Sequence, residues 1–598
     1  MSVRENERPS QESFLRCIKC ECFTSSVNRR RKRKPAGWKS MPYILGNECF
    51  ERLATFGTLA NFINYLLTVF HMDQVSATIV LNIWSGTTNF SPLIGAYISD
   101  SYLGKFVTLV YSSFASFLGL LALTLTAVVP ALHPPKCTAQ QPQNGKCIAA
   151  TPPQLAFLSF ALILISIGAA GIRPCSLPFG VDQFDPTTES GRKGVNSYFN
   201  WYYFTFTIVS ILATTLVVYV QNHSWTWGLA IPTILMFLSI FLFFLGTKLY
   251  VYVPPGKSVF SSIAKVFVAA YRKRNLQLPS DNEIEHMLYD PPVQAGNLIT
   301  TKVPLTQQYR NLNKAGIILE GEVHPDGSNM KEWRLCSIQQ IEDAKGLVKV
   351  VPIWLANIIC FIPMAQQDSY MQAQARLMDR HIGPKFQIPT GSVGVIPMIT
   401  LALWIPIYDR LIVPTMEKIR KEEGGFTLLQ RIGIGMIFST LSMVFAGLVE
   451  IKRRALALSH QQPSGVAPMS AAWLLPQLAC FGFANAFIMI GQIEFFYKQF
   501  PEHMKSLANS IFFCTLAASS YLSALLVVII HKNTGKHGHP NWLNKDINAG
   551  RLEYFYFVIA GLGVLNFAYF LVCANRYHYK NCIVVSVEED NAVELNSV

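Results

Sequence analysis

Long apolar runs set the pattern of this chain. Segments such as 155–170, 208–220 and 231–245 hold no charged residue, and weakly polar flanks extend each to the ~20 residues that a membrane-spanning helix needs. A helix on the surface of a soluble core carries a polar stripe along one side; these do not. Read in order, spans fall near 43–70, 75–99, 105–130, 153–181, 198–221 and 226–250, and then near 347–370, 390–413, 427–450, 468–497, 506–531 and 552–576. The pattern predicts an all-α membrane protein of twelve spanning helices arranged as two six-helix bundles. It divides the chain into a basic cytosolic tail (1–40), a first bundle (41–250), a cytosolic linker (251–346), a second bundle (347–577) and a cytosolic C-terminal tail (578–598). Two such halves imply alternating access around a site near the bilayer midplane.

Within the linker, Val259, Phe260, Ile263, Val266, Phe267 and Ala270 recur at helical spacing and are followed by Arg272, Lys273 and Arg274. This predicts an amphipathic helix lying along the cytosolic membrane interface, with the rest of the linker exposed.

Composition agrees with lipid as the solvent: of 598 residues 51% are hydrophobic and 14% charged, against about 25% charged in soluble domains. The formal net charge of +14 invites a nucleic-acid reading, but eleven Lys or Arg against four Glu in the first 40 residues supply half of it. A basic cluster just before the first span reads as a topology signal rather than a phosphate-binding face, and nucleic acid is excluded as a partner. With no cleavable signal peptide in view, the first span is expected to act as the internal signal. Lys105, Arg192, Lys193, Arg274, Lys418 and Lys421 all fall on the side of the N-terminus, which the positive-inside rule makes cytosolic; Lys452, Arg453 and Arg454 fall on the other side and break the rule.

Thirteen cysteines over this length make no disulfide scaffold. Cys360, Cys480 and Cys514 read as small buried hydrophobes within spans. Cys137 and Cys147 share the polar loop after the third span, on the non-cytosolic side, where a disulfide can form. Cys17, Cys20 and Cys22 are assigned to an unstructured tail, and the His531, His537 and His539 group is not read as a metal site. No cofactor is expected. The absence of GxxxxGK[ST], HExxH and GxSxG motifs argues against an ATP-driven pump and against an enzyme.

Chemistry concentrates in the first span, where NECFER places Glu48, Glu51 and Arg52 at i, i+3 and i+4 on one helix face. Uncompensated charge in a span costs about 2.5–3.5 kcal/mol per residue on insertion scales, so the group should face a wet cavity and pair internally. Two acids sharing one Arg make a protonation switch: Arg52 neutralises at most one of them, and the other is left to exchange protons as the cavity opens and closes. A purely structural ion-pair network is the alternative, though apolar packing would serve that purpose at lower cost.

The NECFER acids, GAYISDSYLGK (95–105), GIRPC with FGVDQFD (171–185), FNWYYF (199–204) and GQIEFFYKQFPEHMKS (491–506) together resemble the plant nitrate and peptide transporter family, the proton-coupled oligopeptide transporter branch of the major facilitator superfamily. The resemblance runs from about residue 37 to 580. It is nearest to the branch holding low-affinity nitrate carriers and carriers of glucosinolates and other plant glucosides. It implies a major facilitator fold and proton symport of nitrate or an organic solute such as a glucoside, in a multi-pass protein of the plasma membrane or, second, the vacuolar membrane.

By the same resemblance, Glu48, Glu51 and Arg52 couple protons to transport, and Arg173 contacts an anionic substrate or the triad. Pro174 after Arg173 fits a cavity-facing position, since it frees backbone groups; otherwise Arg173 ends the helix and snorkels to lipid phosphates. Asp100, Gly104 and Lys105 match the superfamily's cytosolic gate motif. Thr108 aligns with a threonine that is phosphorylated in a nitrate-carrying relative, which implies a kinase partner if the side chain is exposed. In two places the chain departs from the family. Met364 stands where that nitrate carrier has a nitrate-binding histidine, so that mode of nitrate binding is absent and Arg52 or Arg173 is left to bind the anion; Asn485 stands where the family usually has a tenth-span Glu, which argues against peptides and leaves the proton stoichiometry open.

Tyr202, Tyr203, Asn357, Gln366, Gln367, Asn485 and Gln492 complete the candidate substrate site, as uncharged donors, acceptors and aromatic surfaces suited to a sugar. Singly, each also fits helix-to-helix hydrogen bonding. Two rival functions stand beside symport: a transceptor signalling through Thr108 and the linker, and an uncoupled facilitator or exporter.

Overall fold

A computed structural model describes residues 35–135, 148–577 and 583–586, apart from short stretches at 186–187, 256–258, 279–286, 292–298, 303–304, 307, 325–328, 332, 384–385, 421–425, 461–464, 501–504, 536–540 and 545. The first half comprises α1 (Met41–Ala60), its continuation α2 (Phe62–Thr68), α3 (Gln74–Ile98), α4 (Lys105–Val128), α5 (Pro152–Val181), α6 (Glu189–Leu212) continued through a π turn by α7 (Val218–His223), and α8 (Trp225–Leu245). The linker holds α9 (Val259–Arg272). The second half comprises α10 (Ile338–Cys360) continued by α11 (Ile362–Gln366), a π turn at Gln367–Met371 and α12 (Gln372–Arg376); α13 (Val395–Ile407) continued by α14 (Val413–Arg420); then α15 (Leu428–His460), α16 (Leu475–Gln499), α17 (Lys505–Asn533) and α18 (Leu552–Arg576).

Helix starts follow local chemistry. Asp73 accepts from the Ser76 amide at the start of α3, Thr151 with Gln154 forms a capping box on α5, and Ser337 with Gln340 forms one on α10. Among the described residues ten helices are long and apolar enough to cross a membrane. The remaining two of the expected twelve are α1–α2, which carries Glu48, Glu51 and Arg52, and α3, which is rich in Ser, Thr and Asn. α1–α2 packs within the first half, and α3 lies between α5 of the first half and α17 of the second, so that neighbouring helices meet many of their polar groups.

The interior of each half is apolar. Phe62, Tyr65, Trp84, Leu123, Ile165 and Met236 pack together in the first, and Ile353, Ile432, Met436, Phe495, Phe496 and Phe570 in the second. Small residues let helices close up: a Cβ on Gly95 of α3 would lie 1.7 Å from the Ala170 carbonyl oxygen of α5, and one on Gly168 would meet Ser116 of α4 at 2.5 Å. Large apolar side chains such as Leu118, Ile163, Phe241, Leu403 and Leu565 are exposed on the outside, as suits contact with lipid tails.

Two expectations from the sequence are corrected. The apolar side of α9 does not lie on the membrane: Ile263, Val266 and Ala269 are buried against Ala315, Cys336, Ile341 and Ala344, so the helix docks on the cytosolic end of α10. Nor is the rest of the linker simply exposed. Lys273 pairs with Glu322 at 2.7 Å with both side chains buried, and Lys345, paired with Glu342 at 2.6 Å, donates to the Thr306 carbonyl at 2.6 Å. The second correction concerns Lys452, Arg453 and Arg454. α15 extends ten residues past the predicted end, to His460, and Arg453 is wholly buried with a bidentate bond to Glu450 at 2.7 and 2.9 Å. Arg453 and Arg454 also bind Asn548, and Lys452 lies 3.8 Å from the centroid of Trp473. Of the three only Arg453 is buried; Arg454 is half-buried and Lys452 exposed, but all three lie on α15 and are held by partners within the protein, so they break the positive-inside rule for a structural reason.

Candidate functional site

The site begins on α1, where Glu48 and Glu51 are 2% and 9% exposed. Arg52 does not divide itself between them. Its Nε donates to Glu48 Oε1 at 2.5 Å, and Tyr202 of α6 donates to the same oxygen at 2.9 Å while accepting from the other end of the guanidinium. Ser176 of α5 donates to Glu48 Oε2. Three helices thus fix Glu48, and the Arg52 Cζ lies 4.7 Å from the centroid of the Phe206 ring, a cation–π contact. Glu51 accepts one bond, from Thr55 Oγ1 at 2.9 Å, and among the described residues has no ion pair. The helix face therefore presents one carboxylate held by three side chains and one held by a single hydroxyl.

Arg173 faces the interior. α5 continues for eight residues beyond it, about 12 Å at 1.5 Å per residue, so it does not end the helix, and the snorkelling alternative fails. Its Nη1 donates to Asn89 Oδ1 of α3 at 2.6 Å, and its Cζ lies 5.8 Å from the ring centroid of Phe513, on α17 in the other half. Among the described residues no carboxylate pairs with it.

In the second half the predicted polar residues separate. Asn357 is fully buried and, among the described residues, neither atom of its amide has a partner. Gln492 donates to Thr515 at 3.0 Å and leaves its Oε1 unpartnered; Gln366 donates to Ser523 and does likewise. Gln367 departs from expectation: it donates to Ser442 and accepts from Gln477, which also bonds Gln374, so it belongs to a buried helix-to-helix network rather than to a binding surface. Asn485 is half-buried on α16, two turns from Gln492. Met364 packs on the apolar cluster of the second half. Tyr203 lies on α6, its side chain outside the described set.

Sequence reasoning passed over two features. One is Asp368, in the π turn of the seventh span, whose side chain is exposed although its neighbours Gln367 and Ser369 are buried. A lone acid within an apolar span was the available signal. The other is the set of bonds joining the halves, which no local pattern announces. Asn64 of α2 donates to Gln372 at 2.9 Å and Thr390 at 2.8 Å, Gln372 donates to the Ala60 carbonyl at 3.0 Å, and Arg376 reaches Gln74 at 3.3 Å. Nearer the midplane Asn82 bonds Ser523 and Thr87 bonds Tyr521. In the orientation given by the basic loops these bonds close the non-cytosolic side.

The gate motif lies at the opposite end and stays within the first half. Gly104 turns the chain with φ +77°, and Lys105 pairs with Asp182 at 2.6 Å rather than with the second half. Burial pushes the Asp182 carboxyl up from its ordinary range, with Lys105 pulling it back. Asp100 is raised likewise, by burial first. Thr108 is 5% exposed, bonds the Gly104 carbonyl and packs on Gly171, so in this conformation it is closed to a kinase. His531 is held by the Leu543 carbonyl and Asn541, as a packing residue would be. Cys137, Cys147, Cys17, Cys20, Cys22, His537 and His539 lie outside the described residues.

Comparison with known proteins supplies the context. The POT family model, PTR2, matches residues 106–543. Among curated proteins of Arabidopsis thaliana, Protein NRT1/PTR FAMILY 2.13 is 50% identical over 571 residues, which cover 95% of this chain and 92% of that one. Protein NRT1/PTR FAMILY 2.11 is 45% identical and covers 97% and 95%. Among solved structures, an auto-inhibited POT family peptide transporter aligns with a TM-score of 0.66 at 20% identity, covering 93% of this chain and 99% of that one. The POT family transporter PepTSo aligns at 0.64 and 18%, covering 91% and 99%. At such identities the structures speak to the fold alone.

Proposed function

Because the chain belongs to the POT family, a transporter family and not an enzymatic one, we propose that it carries a small anion together with protons by alternating access. The cargo proposed is nitrate or, failing that, an anionic plant glucoside, and the membrane proposed is the plasma membrane. The observation that carries this reading is Arg173: a guanidinium well inside a span, facing the other half, bonded to the neutral amide of Asn89 and, among the described residues, in ion-pair contact with no acid, although the charge of Glu51 acts on it from a distance. A cation so placed is stabilised by an anion that enters with the cargo. Glu51, the unpaired acid of the first span, supplies the proton site, and Glu48 with Arg52 and Tyr202 holds the frame around it. Spare amide atoms of Asn357, Gln366 and Gln492 favour a cargo with hydroxyl groups as the second choice. Signalling through Thr108 is disfavoured by its burial.

Oocytes expressing the chain, voltage-clamped at acidic external pH and given nitrate and then a panel of plant glucosides, test this. A nitrate current lost in both Arg173→Gln and Glu51→Gln is the expected result. A glucoside current without a nitrate current narrows the cargo to organic anions. Currents that survive Arg173→Gln, or silence to both cargoes, overturn the anion reading.

A further inference from the structure

The second half carries an acid that the coupling scheme above does not use. Asp368 sits in the π turn between α11 and α12, and its side chain is exposed while Gln367 and Ser369 beside it are buried at 1% and 0%. Its direction follows from the residues above it on the same helix. Gln372, one turn outward, donates both to the Asp368 carbonyl and to the Ala60 carbonyl of the first half, and accepts from Asn64. Arg376, a further turn outward, reaches Gln74 of the first half. The line Asp368–Gln372–Arg376 therefore faces the first half, and Asp368 lies directly beneath the bonds that close the non-cytosolic side. The geometry thus turns the exposed side of Asp368 toward the first half.

The inward-turned charged groups of the first half are Glu48, Glu51 and Arg52 on α1 and Arg173 on α5; on its own helix there is Arg376. None of them, nor any other described residue, forms an ion pair or a side-chain hydrogen bond with the Asp368 carboxylate. The neighbouring faces of α3 and α17 offer the neutral Asn82 and Ser523. Asp73 at the outer end of α3 is taken up in capping Ser76. An acid in a membrane interior that has water but no counter-charge is costly when ionised and cheap when protonated. Its exposure, moreover, is governed by the gate one turn above it.

We infer that Asp368 is a second proton-carrying group of this transporter, loaded and emptied through the cavity as the halves rock. A proton passes from cavity water to a carboxylate oxygen when the cavity faces one side, and returns to water when it faces the other. No other bond is made or broken. This stands on the symport reading and adds to it a carboxylate in the half where Asn485 takes the place of the tenth-span acid, the other acid of α16, Glu494, being paired with Arg431 and Lys498. It predicts that an anion enters only when Asp368 is neutral, since both would otherwise share one cavity.

The first arm of the test needs no cargo. Purified wild-type protein in liposomes is treated with a hydrophobic carbodiimide, which reacts with protonated carboxyls, across a range of pH, and labelled peptides are mapped by mass spectrometry. Labelling of Asp368 at acidic pH that disappears at alkaline pH is expected; labelling at no pH, or equally at every pH, overturns the proposal. The second arm measures reversal potentials with nitrate in oocytes. Asp368→Asn should lower the number of protons per nitrate by one while tracer exchange at equal pH persists, and Asp368→Glu should restore the ratio. An unchanged ratio, or loss of exchange in a variant present at the surface, assigns Asp368 to something other than proton transfer and overturns the proposal. Should wild type carry no nitrate, the cargo reading fails by itself and the labelling arm decides on Asp368.

Discussion

Glu48 and Glu51 are one turn apart, yet the structure gives them opposite circumstances. Glu48 receives Arg52, Tyr202 and Ser176, whereas Glu51 receives Thr55 alone. Their neutral variants should therefore fail differently. Glu51→Gln should abolish proton-driven uptake but spare cargo exchange at equal pH. Glu48→Gln should unseat Arg52, weaken cargo binding in a direct binding assay and lower thermal stability in detergent. Glu450 and Arg453 are a structural pair by contrast, both fully buried, with Gln374 and Asn548 completing their bonds. Arg453→Met leaves Glu450 as an unpaired buried charge, so a loss of about 3–5 kcal/mol is expected. The check is a melting curve that falls without any change in the pH dependence of transport.

Among the elements, α9 differs most from what its sequence suggested. Six apolar residues at helical spacing and a basic end describe a membrane-surface helix and a protein-docked helix equally well, because a hydrophobic face does not specify what covers it. Its docking can be read at Cys336, which is fully buried beneath it. Burial pushes that thiol up to about 11, with Lys273 and Lys265 pulling it back. At pH 8 only about one Cys336 in a thousand is thiolate, so maleimide labelling should be slow. Lys273→Met strands Glu322 and loosens the linker at a cost of about 3–5 kcal/mol; Cys336 labelling, followed by peptide mapping, should then quicken at least tenfold. The meeting of α3 and α5 depends on Gly95, since an added Cβ there would lie 1.7 Å from a backbone oxygen. Gly95→Val should drive the two helices apart and remove the folded peak in size-exclusion chromatography.

For the whole molecule, the bonds between the halves define its state. Asn64 to Gln372 and Thr390, with Gln74 to Arg376, hold the non-cytosolic side shut, while Lys105 is satisfied within its own half by Asp182. The bonds among Asn64, Gln372, Thr390, Gln74 and Arg376 thus tie the halves together on the non-cytosolic side. Asn64→Ala removes two bonds across the interface, worth about 1–3 kcal/mol together, and should shift the population toward the outward-facing state. Spin labels at the outer ends of α2 and α13 should report a longer separation in this variant.

Much of this was legible in the chain. Ten of the twelve spans follow from apolar length, the linker from its polarity, and the acids of the first span stand out as charges that no lipid-facing helix tolerates, because each of these is a local property of a segment and its solvent. Which acid of the first span is paired was not legible: Tyr202 and Ser176 lie more than a hundred residues from Glu48, and only packing brings them to it. Gln366 and Gln367 are adjacent and chemically alike, and the direction each side chain takes from its helix decided that one belongs to a buried network and the other keeps an unpartnered oxygen. The three basic residues on the non-cytosolic side broke a rule about loops because they are not in a loop. Asp368 is one residue among many in the sequence; it gains meaning from the turn above it, where Gln372 and Arg376 reach the other half. Segment chemistry determined what must cross the membrane, and tertiary structure decided which polar groups satisfy each other and which are left for the cargo and its protons.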